Sequence, residues 1–167
     1  MKAAKKILAP ILIALMTFFM LPQPARAASV HEVGSDAELA DALLAIANGD
    51  VIRLMADIDY DGGIYIWGRG ITIDLNGHTL NVSNSMGHGL EVSGIAGAVD
   101  LTGSGAFNVE ARGSALSHGV YAHSGGRATV TNATRTVPDG SGGEGAGAYA
   151  TDSGYVRVNG DAIGTGT

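Results

Sequence analysis

The 167-residue chain contains no cysteine, which excludes disulfide stapling and thiol chemistry. No lysine follows Lys6, and a single proline, Pro138, lies beyond residue 24. Aromatic residues make up only 5% of the chain, while glycine is abundant with 26 residues. The arginines that remain are scattered and offer no basic patch for a phosphate backbone, so we expect no nucleic-acid partner. Stability has to come from packing and from backbone hydrogen bonds across many tight turns.

Residues 1–27 have the three parts of a secretory signal peptide. Three lysines precede an apolar run from Ile7 to Leu21, and Ala25-Arg26-Ala27 supplies small residues for cleavage. The run is shorter than the roughly 20 residues of a membrane helix, and Pro22 ends it. We predict cleavage after Ala27, a secreted or cell-surface location and no transmembrane segment in the mature chain. Six basic residues then face sixteen acids, which gives a formal charge of −10.

Residues 28–50 are predicted to form an N-terminal strand and a capping helix. Ser35 followed by Glu38 is a capping box, and leucine and alanine repeat at helical spacing behind it. Asn48-Gly49 offers a left-handed stop. The pattern predicts a strand at residues 30–33 and a helix over residues 36–47.

Residues 51–167 have the pattern of short β-strands. In Ile71-Thr-Ile-Asp-Leu75, for example, apolar and polar residues alternate, and an Asn76-Gly77 turn follows. The predicted strands are 51–54, the stretch around 64–66, 71–75, 80–82, 90–92, 99–101, 107–109, 120–122, 128–130, 148–150 and 156–158. Each is too short to be stable alone.

Internal repetition favours one arrangement of these strands. Residues 119–132 align with residues 147–160 without a gap, and a weaker copy begins at His88. Such units cannot bury their apolar faces alone, but stacked units share a continuous core. A β-sandwich, the alternative, explains the strands without explaining the repetition. We predict an all-β fold, a right-handed parallel β-helix whose coils span residues 51–167, with the N-terminal helix covering the open first coil.

Two stretches carry a resemblance to known families. The segments 35–44, 49–54 and Ile71-Thr-Ile-Asp-Leu-Asn-Gly-His-Thr-Leu80 resemble the opening of bacterial pectin-lyase-like β-helix proteins. The Gly-Val-Tyr-Ala and Thr-Val-Thr-Asn units resemble glycine-rich repeats of large bacterial surface and adhesin-like proteins. The resemblance implies a parallel β-helix and a cell-wall or extracellular polysaccharide as partner. Because the superfamily holds lyases, hydrolases and non-catalytic proteins, it does not select an activity.

Catalytic motifs expected of such enzymes are missing from the sequence. The one mature proline lies in Arg135-Thr-Val-Pro-Asp-Gly, which does not match the Arg-x-Pro-x-x-Arg motif of pectate lyases. The outward acids Asp74, Glu91, Asp100 and Glu110 are predicted on different coils, without the carboxylate pair of a glycoside hydrolase. We expect a structural or adhesive domain without an evident catalytic site or cofactor. The alternative is a polysaccharide lyase or glycoside hydrolase.

One acidic stretch matches the first half of a calcium-binding loop. In Asp57-Ile-Asp-Tyr-Asp61-Gly62, oxygens alternate and a turn glycine stands at the sixth position. The twelfth position is Gly68, so the bidentate glutamate is missing. Asp57, Asp59 and Asp61 are therefore candidate calcium ligands, and a polar turn between coils is the alternative interpretation.

Histidines and aromatic residues raise two further alternatives. His88 and His118 occupy equivalent repeat positions, as metal ligands or as repeated turn residues. Packing along the solenoid or a sugar-stacking stripe would explain the outward aromatic residues, which are Tyr65, Trp67, Tyr121, Tyr149 and Tyr155. The chain ends at Gly164-Thr-Gly-Thr167, in the middle of an expected coil, so we expect a truncated solenoid.

Overall fold

The computed structural model describes residues 26–113, 116–137 and 145–165. Within them the chain forms one helix, α1 (Asp36–Ala45), and fifteen strands numbered in chain order. Pro138, the last two residues and all but the end of the predicted signal peptide lie outside these described residues.

The strands form three sheets. Sheet 1 contains β1 (Val30–Val33), β2 (Val51–Leu54), β5 (Gly70–Asp74), β8 (Ala98–Thr102), β11 (Arg127–Val130) and β14 (Tyr155–Val158). Sheet 2 contains β4 (Ile64–Trp67), β7 (Leu90–Ser93), β10 (Val120–His123) and β13 (Ala148–Ala150). Sheet 3 contains β3 (Ile58–Asp61), β6 (Thr79–Asn84), β9 (Ala106–Ala111), β12 (Asn132–Arg135) and β15 (Ala162–Gly164).

Every strand pairs in parallel with the strand three elements further along the chain, apart from the β1–β2 pair at the start. Each coil therefore contributes one strand to each sheet. The register is direct: Ile64 lies beside Leu90, Leu90 beside Val120, and Val120 beside Ala148. The predicted parallel β-solenoid is confirmed, and the sandwich alternative is wrong.

The core lies inside the coil and is filled by alternate strand residues. On β4, Ile64 and Ile66 are buried while Tyr65 and Trp67 point outward, as the two-residue period of a strand requires. Equivalent inward positions in successive coils are Ile, Leu, Val, Phe or Ala, so the buried cluster continues along the solenoid axis. Apolar columns in register give a continuous core without any long-range disulfide.

The helix begins as predicted and ends two residues early. Ser35 Oγ accepts a hydrogen bond from Glu38 N at 3.3 Å, and the Glu38 carboxylate accepts one from Gly34 N at 2.7 Å. Ile46 leaves the helix with ψ 139° and enters the core. The predicted stop residue Gly49 does have positive φ, 85°, but in the turn that leads into β2. Burial of Ile46 therefore decides where the helix ends.

A buried carboxylate closes the N-terminal end. Asp50 is 0% exposed and accepts hydrogen bonds from Ser29 N at 2.8 Å and Ala47 N at 2.9 Å. Arg26 Nη1 and His31 Nε2 each lie 3.2 Å from the same carboxylate. The two backbone N–H groups, helped by His31 and Arg26, hold the pKa of Asp50 far below its ordinary value. One ionised side chain thus links the segment before β1 to the end of the helix.

Three strands were not predicted from the sequence. The polar turn suggested for residues 57–62 is partly wrong, because Ile58–Asp61 is strand β3. Strands β12 and β15 have weak signals, since β12 contains no Val, Ile or aromatic residue and β15 contains a single Ile. Pairing with the preceding coil fixes these segments as strands despite their weak propensity.

Two turn glycines provide a test of coil packing. Gly77 has φ 88° and open space where a Cβ would stand, whereas at Gly105, with φ 129°, a Cβ would collide with the His78 carbonyl oxygen. We expect Gly77→Ala to lower the free energy of unfolding by about 1 kcal/mol, the cost of positive φ alone. Gly105→Ala should cost about 3 kcal/mol, because strain and a backbone clash add. Urea denaturation measures both, and equal losses would contradict the coil spacing.

Candidate functional site

A polar groove of about 590 Å³ runs across the outer face of sheet 3. Outward residues of β3, β6, β9 and β12 form its floor, one pair from each coil. Its charged lining residues are Asp59, Asp61, Glu110 and Arg112.

Asparagine side chains form a ladder along this groove. Asn81 Nδ2 donates to Asp59 Oδ1, Asn108 Nδ2 to Asn81 Oδ1, and Asn132 Nδ2 to Asn108 Oδ1, each at 2.8 Å. The Asp161 backbone N–H closes the row on Asn132 Oδ1 at 2.9 Å. This ladder was not predicted from the sequence, although the register of the repeats would have aligned its members. Because each amide serves its neighbour, the ladder mainly joins the coils.

Glu110 and Arg112 form an ion pair with each other in the groove. Arg112 Nη2 lies 2.7 Å from Glu110 Oε2, and Thr136 Oγ1 donates to Glu110 Oε1 at 2.6 Å. The bond from Arg112 lowers the pKa of Glu110, and the same bond raises the pKa of Arg112. Glu110 is therefore held ionised and Arg112 held protonated.

Of the three candidate calcium ligands, Asp57 immediately precedes β3, and Asp59 and Asp61 lie on that strand. Asp57 Oδ1 accepts the Thr79 N–H at 2.8 Å, and Asp59 Oδ1 is the first acceptor of the ladder. Asp61 is exposed at the end of β3. Within residues 26–113, 116–137 and 145–165, no group of three or more His, Asp or Glu side chains is placed to hold a metal ion. Calcium binding by Asp57, Asp59 and Asp61 stays a prediction.

The four outward acids are distributed over all three sheets. Asp74 and Asp100 belong to sheet 1, where Asp74 Oδ2 lies 2.9 Å from Arg53 Nε. Glu91 belongs to sheet 2 and Glu110 to sheet 3. Asp74 and Asp100 share the outer face of sheet 1, where Asp74 is paired with Arg53, and the other two acids lie on other sides of the solenoid.

The outer side of sheet 2 carries most of the aromatic and histidine rings. We call this surface the aromatic face, and its rings are Tyr65, Trp67, His88, His118, Tyr121, His123 and Tyr149. His88 stacks on His118 with ring centroids 5.3 Å apart and an interplanar angle of 2°. Tyr121 stacks on Tyr149 at 5.7 Å and on His123 at 4.7 Å. Tyr155 lies instead on sheet 1, under the Arg127 guanidinium, so the expected five-residue stripe is wrong in that member.

Hydrogen bonds determine the tautomer of the stacked histidines. His88 Nδ1 accepts the His118 backbone N–H at 3.0 Å, and His118 Nδ1 accepts the Ala146 backbone N–H at 3.0 Å. A neutral imidazole that accepts at Nδ1 carries its proton on Nε2. Neither nitrogen then has a free lone pair for a metal, so the geometry favours the repeated turn residue over the shared ligand.

Arg135, one of the arginines that are scattered along the sequence, is the last residue of β12 and is fully buried.

The one helix that the described residues form, α1 with ten residues, is too short to cross a membrane.

Comparison of the chain with protein-family models, curated proteins and solved structures found no significant match. The class that the fold defines is therefore a parallel β-solenoid, and the site has to be interpreted from its own geometry.

Protonation of the stacked histidines should destabilise the fold. Burial lowers the pKa of His88 and of His118, and the charges of His88 and Arg135 lower that of His118 further. The unfolded chain takes up these protons near pH 6.5, before the folded chain does. Stability is therefore fully present above pH 6.5 and falls as the pH drops toward the folded pKa. Thermal unfolding between pH 7.5 and 5 should show this loss.

The control is the double variant His88→Asn/His118→Asn, in which an amide oxygen can accept the same backbone N–H without titrating. Its melting temperature should change less than that of the parent over this pH interval. An equal change in both proteins would contradict the assignment to these two rings.

Proposed function

We propose that the chain is a secreted or cell-surface structural and adhesive domain, a rigid β-solenoid that contacts extracellular polysaccharide without altering it. The proposal draws on the signal-peptide pattern and on the resemblance to pectin-lyase-like and adhesin-like repeat proteins. The observation that carries it is the Glu110–Arg112 ion pair, because this pair engages one of the groove's carboxylates in a salt bridge.

The protonation states of Glu110 and Arg112 do not suit these two side chains to act as a catalytic acid or base. A glycoside hydrolase needs a general acid with a raised pKa, but the Glu110 pKa is lowered and its oxygens already accept from Arg112 and Thr136. A lyase needs a base, and the raised pKa of Arg112 keeps that side chain protonated. The neighbouring amides hydrogen-bond one another along the ladder. The groove therefore supports contact with a ligand better than chemistry on it.

The alternative remains a polysaccharide lyase or hydrolase of the pectin-lyase-like fold. The groove itself favours this alternative, since it is polar and carries carboxylates on β3 and β9. Asp61 would then have to act with a second group supplied by the substrate or by calcium.

The test distinguishes binding of a polysaccharide from its cleavage. The purified mature chain is incubated with acidic and neutral polysaccharides, with and without calcium, while unsaturated product and reducing ends are measured. We expect no product, together with co-sedimentation of the protein with insoluble polysaccharide. Product formation that disappears in Asp61→Asn would contradict the proposal and favour the enzyme. Failure to sediment with any polysaccharide would contradict adhesion to this class of partner.

A further inference from the structure

The few aromatic residues of this chain are concentrated on one surface. The chain has five tyrosines and one tryptophan, and four of these six lie on the aromatic face of sheet 2. Trp67 is 68% exposed, Tyr65 55% and Tyr149 45%. Large rings are normally buried because burial removes apolar area from water. The adjacent exposed rings of Tyr65 and Trp67, on edge strand β4, therefore mark a contact surface.

Tyr65 and Trp67 each contact the next coil on one side and are exposed to solvent on the other. Tyr65 and Trp67 stand two residues apart on β4, so they point the same way at a spacing of roughly 7 Å. Tyr65 Oη lies 3.4 Å from Ser93 Oγ in the next coil. The Trp67 ring edge lies beside Gly94, within 3.7 Å of where a Cβ would stand. Both rings thus lean on the next coil and offer flat surfaces to solvent.

Polar groups alternate with these rings. Glu91 stands in register between Tyr65 and Tyr121, and Ser93 stands between Trp67 and His123. Glu91 Oε1 lies 3.0 Å from His123 Nε2, so the carboxylate is oriented while its other oxygen remains available. Flat apolar rings beside carboxylate and imidazole groups suit a ligand with both an apolar face and a hydroxyl edge. A pyranose ring has this combination.

The negative charge of the protein favours a neutral pyranose polymer over an acidic one. Without the predicted signal peptide, six basic residues face sixteen acids, and the aromatic face itself carries Glu91. A polyuronate would be repelled by this charge, whereas a neutral glycan loses nothing. On the aromatic face, the cationic groups that could offset such repulsion are histidines, two of which have lowered pKa values.

We infer that the aromatic face binds a neutral polysaccharide, with pyranose rings stacked on Tyr65 and Trp67 and a hydroxyl group bonded to Glu91. The inference rests on the proposed adhesive function and assigns that function to sheet 2 instead of the groove on sheet 3. It also makes Trp67, the only tryptophan, a direct reporter of the ligand.

The experiment uses hydroxyethylcellulose and xyloglucan as neutral probes and polygalacturonate as the acidic one. Binding is followed by Trp67 fluorescence and by affinity gel electrophoresis. The neutral polymers should change the fluorescence and retard the wild-type chain, and polygalacturonate should do neither. Tyr65→Ala and Trp67→Ala should each weaken retardation by about tenfold, the loss expected for one stacking ring. Tyr155→Ala, which removes an equally exposed ring from sheet 1, is the matched control and should leave retardation unchanged.

The outcomes separate this inference from the adhesive function. If neutral polymers retard all three variants as strongly as the wild type, adhesion stands and the assignment to the aromatic face is overturned. Tighter binding of polygalacturonate would overturn the charge argument and with it the inference. If no polymer binds the wild type, both the inference and adhesion to polysaccharide fall. Capture by polylysine that is lost in Trp67→Ala would assign the face to a cationic partner and overturn the inference.

Discussion

The whole molecule depends on the stacking of coils in direct register. Parallel strands lie about 4.8 Å apart, so each residue meets its equivalent in the coils before and after it. A column of equivalent residues in successive coils must therefore consist of side chains that can pack against or bond to one another. Inward columns satisfy this condition with aliphatic residues, as in Ile64, Leu90 and Val120. At Gly89 and Gly119 a Cβ would clash with the backbone of the following coil, so only glycine is accommodated there.

The outer columns satisfy the same condition in three different ways. Sheet 1 alternates charges, with Arg53 between Glu32 and Asp74. Sheet 3 repeats amides, each of which can donate to one neighbour and accept from the other. Sheet 2 stacks rings. The first two solutions pair many of the polar groups that they place on the surface, while sheet 2 leaves the large rings of Tyr65 and Trp67 exposed. This difference is the physical reason for assigning contact with a partner to sheet 2.

The repeats predicted the solenoid because apolar alternation and self-similar units are properties of the sequence itself. The helix start was predictable from Ser35 and Glu38, but its end was not, since packing of Ile46 in the core overrides the Asn-Gly stop signal. Strand β12 was missed because Asn132 and Ala133 have little strand propensity of their own, and pairing with β9 makes them part of a strand.

The site was predictable only in part, because turn lengths decide which sheet a residue joins. Tyr149 and Tyr155 are six residues apart and looked like members of one stripe, yet a turn at residues 151–154 places them on different sheets. The pairing of Glu110 with Arg112 follows from a two-residue spacing on one strand face, a signal that was present in the sequence. The burial of Asp50 depends on Ser29 and Ala47, which only the folded chain brings together.

Engineered disulfides test the register most directly, because the chain has no cysteine of its own. Asn81 and Asn108 are register partners on β6 and β9, at a separation suited to a disulfide. Cysteines introduced at these two positions should form an intramolecular disulfide rapidly under mild oxidation. The offset pair at Asn81 and Glu110 should remain reduced, since its separation exceeds the reach of a disulfide. Equal oxidation of both pairs, or oxidation of the offset pair alone, would contradict the stacked solenoid.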